Sequence, residues 1–350
     1  MLVRILFAVY LLLIVYASLH PFSGWRHYGI GPLDYLFSPW PRTGSVFDVA
    51  VNVLGYTPFG FLCVAVVHSR MRGWAAFALA LVSGAALSIT LEALQNYLPT
   101  RFASNVDVLA NLTGAAIGAA LGLRLAPWLL HYGPFRRLRS AAFFSGMGVD
   151  IGLVLVALWL FIQLNPITLL FGSGDLRDLV VPPGGRARAP EFFVSIEAMT
   201  SAANLVVVAL LLSALIVERR AVRLAFLGVV MTALAIKAGA FALLTRGDPL
   251  AWLTLGAQEG LAAGLVLGLA AVALPRTARL ALAAVLLMAA TVLVNLAPAN
   301  PYFTATLRLW HQGHFLNFNG VTRVVSASWP FVVLAYLFFL ASRRGREAER

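Results

Sequence analysis

The stretch "EALQNYLPTRFASNVDVLANLTGAAIG", from Glu92 to Gly118, holds two carboxylates, an arginine and several carboxamides. Apolar runs long enough to cross a bilayer flank it on both sides. Carboxylates and carboxamide oxygens accept hydrogen bonds from ammonium and hydroxyl groups, and a guanidinium pairs with phosphate. A carboxylate held out of water can also act as a general base. An isolated acid at bilayer depth costs several kcal/mol, so such residues face the interior of a bundle and meet a partner there. Glu92, Gln95, Arg101, Asp107 and Asn111, with Asp48 and Asn52 in the preceding apolar run, are therefore the candidate site residues.

The elements that position them follow from composition. The chain has 350 residues, of which 61% are hydrophobic and 11% charged. One soluble core could not hide that much apolar surface, whereas a multi-span chain uses lipid as the solvent for its outer faces. Backbone cannot be left unpaired in lipid, so the apolar runs must be helices. Ten spans are expected, at roughly 3–19, 46–67, 74–98, 105–129, 145–171, 199–217, 222–245, 250–274, 278–297 and 325–342. The fold class is thus all-α, a polytopic transmembrane helix bundle.

A net charge of +12 raises the question of nucleic acid. The arginines are scattered over short loops and form neither a stripe nor an aromatic platform, so nucleic acid is excluded as a partner. Their placement reads as topology instead. "HSRMRG", "PFRRLRS", "VERRAVR", "PRTAR" and "SRRGRE" alternate with longer, sparser loops that hold Arg26, Arg42, Arg101, Arg177, Arg186, Arg188, Arg246, Arg308 and Arg323. The positive-inside rule then puts both termini in the cytoplasm. The first run is expected to be kept as an anchor, because "YASLHPF" is a poor signal-cleavage site. The single cysteine, Cys63, lies in an apolar run and excludes a disulfide within the chain.

Helical spacing brings the polar residues onto common faces. Asp107, Asn111, Gly114, Gly118 and Gly122 form one stripe, polar at the outer end and glycine further in. Glycines four apart let a second backbone come close. Gly84, Ser88, Glu92 and Gln95 form a stripe on the third span, and Asp48, Asn52, Gly55 and Phe59 one on the second. Glu92 lies roughly 10 Å along a helix from Pro99. Three spans should therefore present acids and carboxamides to one pocket in the outer leaflet, with Arg101 covering it from the turn.

"SLHP" at 18–21, Asp48 with Asn52, Glu92 with Gln95, Arg101, Ser104, Asp107, "AN" at 110–111, and Gly114 with Gly118 resemble the VanZ-like domain over roughly residues 1–130. The family pattern often has a histidine near the position of Asn52, and that departure removes imidazole chemistry there. The resemblance implies an integral membrane protein of the bacterial cell envelope, in the cytoplasmic membrane. It also implies a link to resistance to the glycopeptide teicoplanin. Membrane lipids are the expected partners, with a cell-wall precursor or a glycopeptide as further ones.

The chain is expected to divide into a four-span domain, 1–140, and a six-span domain, 141–350. "VPPGGRARAPE" reads as a Pro/Gly linker at the seam. In the second half Lys237 and Glu259 lie at matching depths, roughly 13–15 Å below the outer surface, which reads as a buried ion pair. Asp150 is placed to meet Arg136 or Arg139. The aromatic loop 298–324 should lie along the outer interface. Its His311 and His314 stand without a nearby acid or cysteine, so no metal site is expected. No cofactor motif appears, neither a phosphate loop nor a serine-nucleophile elbow nor HExxH.

The leading functional expectation is a non-catalytic envelope protein whose acidic pocket contacts an amine- or hydroxyl-bearing lipid or glycolipid headgroup. One alternative is a proton-coupled transporter or lipid flippase using Lys237–Glu259. Another is an intramembrane hydrolase or transferase of lipid phosphate, with Glu92 or Asp107 as general base and Ser104 as a weakly placed nucleophile.

Overall fold

A computed structural model describes residues 1–40, 46–129, 133–177, 188–245, 248–298, 300 and 316–348. The described residues form eleven α-helices and no strand: α1 Leu2–Leu19, α2 Val46–Val67, α3 Trp74–Gln95, α4 Asn105–Pro127, α5 Pro134–Ala142, α6 Met147–Ile162, α7 Pro190–Leu215, α8 Arg219–Ala240, α9 Leu255–Ala271, α10 Arg276–Leu296 and α11 Leu316–Ala348. Eight of them are long and apolar enough to cross a membrane, and α6 and α9 are shorter apolar helices. The chain is all-α, and α6 and α9 bring its apolar helices to about the ten expected.

Contacts divide the chain into two compact units, Met1–Ala141 and Ala142–Arg350. "VPPGGRARAPE" falls inside the range of the second, and most of it lies outside the described residues.

In the first unit α2 and α4 are joined by a seam of backbone. A methyl group on Gly118 would overlap the Thr57 carbonyl, one on Gly114 the Val53 carbonyl, and one on Gly60 the Ala115 carbonyl. The glycine stripe of α4 therefore packs as its spacing predicts. In α2, however, the close-approach glycine is Gly60, while Gly55 faces open space. Ile14, Leu19, Tyr56, Phe59, Leu91, Leu98 and Ala115 close the apolar core beside that seam. Ser104 starts α4, its hydroxyl accepting from the Asp107 N–H at 3.4 Å, and so supplies one of the orphan donors of a helix start with an acceptor.

In the second unit α7 is the most enclosed of the long apolar helices. It begins at Pro190, nine residues before the expected position, because Pro190 takes the first helical position, where its missing N–H costs nothing. The fifth expected span, 145–171, is only partly helical. α6 ends at Ile162, and Gln163–Gly174 runs on as irregular, largely buried backbone. The cause lies in "QLNP". Pro166 disfavours helix at Asn165, and the Gln163 and Asn165 side chains bond to backbone that a helix would otherwise satisfy. α11 starts at Leu316, inside the expected 298–324 loop; His311 and His314 lie outside the described residues.

Candidate functional site

The polar residues of the first unit meet at one end of α2, α3 and α4. Asn52 donates through Nδ2 to Asp107 Oδ1 at 2.8 Å, which joins α2 to α4. Asn111, one turn along α4, donates through Nδ2 to Ser88 Oγ of α3 at 2.9 Å. Glu92 Oε2 accepts the Ser104 backbone N–H at 2.9 Å, so the acid of α3 ties down the start of α4. Asp48 acts electrostatically on Asp107, and Asp107 on Glu92. Glu92 and Asn111 are buried; Asp48, Asn52 and Asp107 are half-buried.

Gln95 and Arg101 face the end of α1. Gln95 Nε2 donates to the Ser18 carbonyl at 2.9 Å. Arg101 donates to the carbonyls of Ala17 and His20 at 3.0 and 2.9 Å. The "SLHP" motif thus contributes backbone acceptors that fix the α3–α4 turn. Burial pushes the Arg101 guanidinium below its ordinary value, and Glu92 opposes that shift. An arginine keeps its charge under such a shift, so a cation stays beside the acids.

Three tyrosines complete the site, and the polar stripes did not point to them. Tyr35, in the short 3₁₀ turn Asp34–Phe37, donates to the Ile89 carbonyl at 3.1 Å. Burial, and then the Glu92 carboxylate nearby, push its hydroxyl up to about 12. Tyr56 hydrogen-bonds Ser88, and Tyr10 donates to the Gly55 carbonyl at 2.7 Å. Tyr56 stands one turn beyond Asn52, so helical spacing could have flagged it; Tyr35 lies in an irregular loop with no such signal.

The balance of donors and acceptors is uneven. Asn111 Oδ1 is buried and has no hydrogen-bond partner. It stands in a cluster that already holds the Glu92 and Asp107 carboxyl groups. An excess of buried acceptors suits a ligand that donates, such as an ammonium or a hydroxyl group. The Ser104 hydroxyl is engaged as a helix cap.

In the second unit the expected Lys237–Glu259 pair does not form. Lys237 is fully buried and donates to the carbonyls of Asn165 and Thr168, both at 2.7 Å, and to Thr168 Oγ1 at 3.2 Å. The acid that acts on it is Glu197 of α7. Glu259 is exposed, because α9 starts only at Leu255 and turns Gly256, Gly260 and Gly264 toward α7. Equal depth counted along the sequence misled here, since residues 250–254 are not helix. Asp150 is buried in the first turn of α6. Among the described residues no group of His, Cys, Asp and Glu is placed to hold a metal.

Long apolar helices with polar groups turned inward define a multi-pass membrane protein. Within it, residues 6–126 match the VanZ/LLP1 family, so α1–α4 carry a VanZ-like segment and α5–α11 lie outside it. No curated protein and no solved structure matches the chain.

Proposed function

We propose that the VanZ-like unit binds the headgroup of a membrane lipid or glycolipid, through an ammonium or hydroxyl of that headgroup, at the outer leaflet of the bacterial cytoplasmic membrane. The observation that carries this reading is the unpartnered, buried Asn111 Oδ1 beside Glu92 and Asp107. Arg101, the cation next to Glu92, is the group that would meet the headgroup phosphate. The outer-leaflet placement rests on the positive-inside rule, which puts the α3–α4 turn outside and both termini in the cytoplasm. A lipid-linked cell-wall precursor has this chemistry, and through it the family's association with teicoplanin resistance would reach this chain.

The test is mass spectrometry of lipids held by gently solubilised protein, wild type against Glu92→Gln with Asp107→Asn. The reading expects one headgroup class to be enriched in the wild type and lost in the variant. Equal lipid profiles from two equally stable proteins would make the cluster a structural joint between helices.

A transporter or flippase is the second reading, and the irregular, largely buried backbone after the short α6 favours it. Lipid translocation, or uptake driven by a pH gradient in proteoliposomes, separates it from simple binding. The lipid-phosphate hydrolase or transferase reading gains no comparable support, because Ser104 already serves as a cap.

A further inference from the structure

The irregular stretch Gln163–Gly174 is unusual for a membrane chain. α6 has 16 residues, or about 24 Å of helix, against a hydrocarbon core of about 30 Å. The chain therefore leaves helix before it can have crossed. Non-helical backbone at that depth is tolerated only where protein or a water-filled cavity satisfies it. Here protein does so. Asn165 Nδ2 donates to Asn319 Oδ1 and Thr322 Oγ1 of α11, each at 2.9 Å. Ser201 of α7 donates to the Leu170 carbonyl at 2.7 Å, and Ser173 donates to Asn204 Oδ1 at 3.0 Å. The Gly174 N–H reaches the Ser326 carbonyl at 2.8 Å.

Two carbonyls of the stretch, those of Asn165 and Thr168, converge with Thr168 Oγ1 on one point, where the Lys237 ammonium sits. Carbonyls of an unwound helix, with a hydroxyl and a nearby carboxylate, are the donor set that membrane proteins use for small monovalent cations. We propose that the Asn165–Thr168 turn is a monovalent-cation site whose resident cation is the protonated side chain of Lys237, and that this cation holds Gln163–Gly174 in place.

The charged surroundings are sparse. Glu197 of α7, which accepts from Thr254 Oγ1 at 2.7 Å, is the charge that acts on Lys237. The stretch itself contains no charged residue, and α6 has only Asp150, in its first turn. The arginines of α8, Arg219, Arg220 and Arg223, stand near the opposite end of that helix, and Arg323 of α11 acts on Asp175. The ligand class is therefore set by the oxygens: an ammonium, a small alkylammonium, or an alkali cation.

Hydrogen–deuterium exchange on the full chain in nanodiscs reads the site. In Lys237→Ala the amides of residues 164–176 should exchange at least about tenfold faster, the loss expected when a charged hydrogen-bond partner is removed, while α2 and α4 stay unchanged. Propylammonium, sodium or potassium should restore protection saturably in the variant, and choline, which is too large for the cage, should not. Restoration by none of the small cations, or equally by choline, would overturn the proposal. If Lys237→Ala does not fold, the wild type decides. At a pH high enough to deprotonate lysine, exchange corrected for intrinsic rate should rise in 164–176 before it rises in α7. A uniform rise, or none, would refute the role of the cation.

Discussion

A methyl group added at Gly118 and one added at Gly55 should change the stability of the first unit in opposite directions. Both residues are helical glycines, so alanine gains roughly 1 kcal/mol of helix propensity at either position. At Gly55 nothing lies within 4 Å of the new carbon, and that gain should survive. At Gly118 the new carbon overlaps the carbonyl of Thr57 and crowds the Phe61 N–H, both backbone atoms. No rotamer change relieves such a clash, so α2 and α4 must separate. The same seam carries Gly114 against Val53 and Gly60 against Ala115, and those contacts open with it. Overpacking costs roughly 1–3 kcal/mol; a rigid backbone seam puts Gly118→Ala at the upper end. After the propensity gain, a net loss of about 2 kcal/mol remains, some thirtyfold in the folding constant. Thermal or SDS-titrated unfolding of purified protein in one detergent measures both variants, with Gly55→Ala as the internal control. Equal midpoints for the two variants, or a stabilised Gly118→Ala, would show that α2 and α4 do not meet through these backbones.

Further outcomes follow from the site and the topology. Asn52→Leu should destabilise by roughly 1.5–3 kcal/mol, because it strands the Asp107 oxygen; Asn52→Leu with Asp107→Leu should recover part of that loss in a double-mutant cycle, and strict additivity would deny the bond. Ser104→Ala should cost about 1 kcal/mol through loss of the α4 cap, and Ser104→Gly less. In a Cys63→Ala background, an impermeant maleimide should label Phe102→Cys in intact spheroplasts and Arg137→Cys only after permeabilisation. Both parent residues are exposed, and the reverse pattern would invert the assigned orientation.

The helices were legible because apolar runs in lipid have one solution, and Asp107, Asn111, Gly114 and Gly118 were legible because a period near four holds along a continuous helix. Asn52 and Asp107 could be expected to meet, since both lie within regular helix near the same end. Lys237 could not be assigned its partners in this way. Its carbonyl acceptors belong to an irregular stretch that apolar composition alone extended as helix to 171. Pro166, preceded by two carboxamide-bearing residues, was the available sign that the helix would stop, and mean hydropathy outweighed it. Glu259 failed for the same reason at the start of α9. Depth counted in residues holds only where every residue rises like a helix, and in both places the chain had left one. Tyr35 was invisible because it reaches the Ile89 carbonyl of α3 from a 3₁₀ turn after a long irregular segment, whose path no periodicity encodes.

The two polar clusters differ in a way that separates holding from binding. Around Lys237 the donor is already supplied by the chain: its ammonium meets three oxygens, Asn165 is engaged through both Nδ2 and Oδ1, and Glu197 has the Thr254 hydroxyl. Such a cluster has its cation already and resists a second. Around Glu92 the account stays open toward donors. One carboxylate oxygen has the Ser104 N–H, Asp107 has Asn52, and Asn111 Oδ1 has nothing. A buried acceptor without a partner costs roughly 1–3 kcal/mol, and glue between helices would not keep that cost when a threonine or serine hydroxyl could remove it. A donor arriving from outside the chain removes it instead. Asn111→Leu removes that orphan acceptor together with the bond to Ser88 Oγ, so the two effects offset and stability should change by less than about 1 kcal/mol, while retention of the headgroup weakens. A variant that loses stability in step with lipid would return Asn111 to a purely structural role.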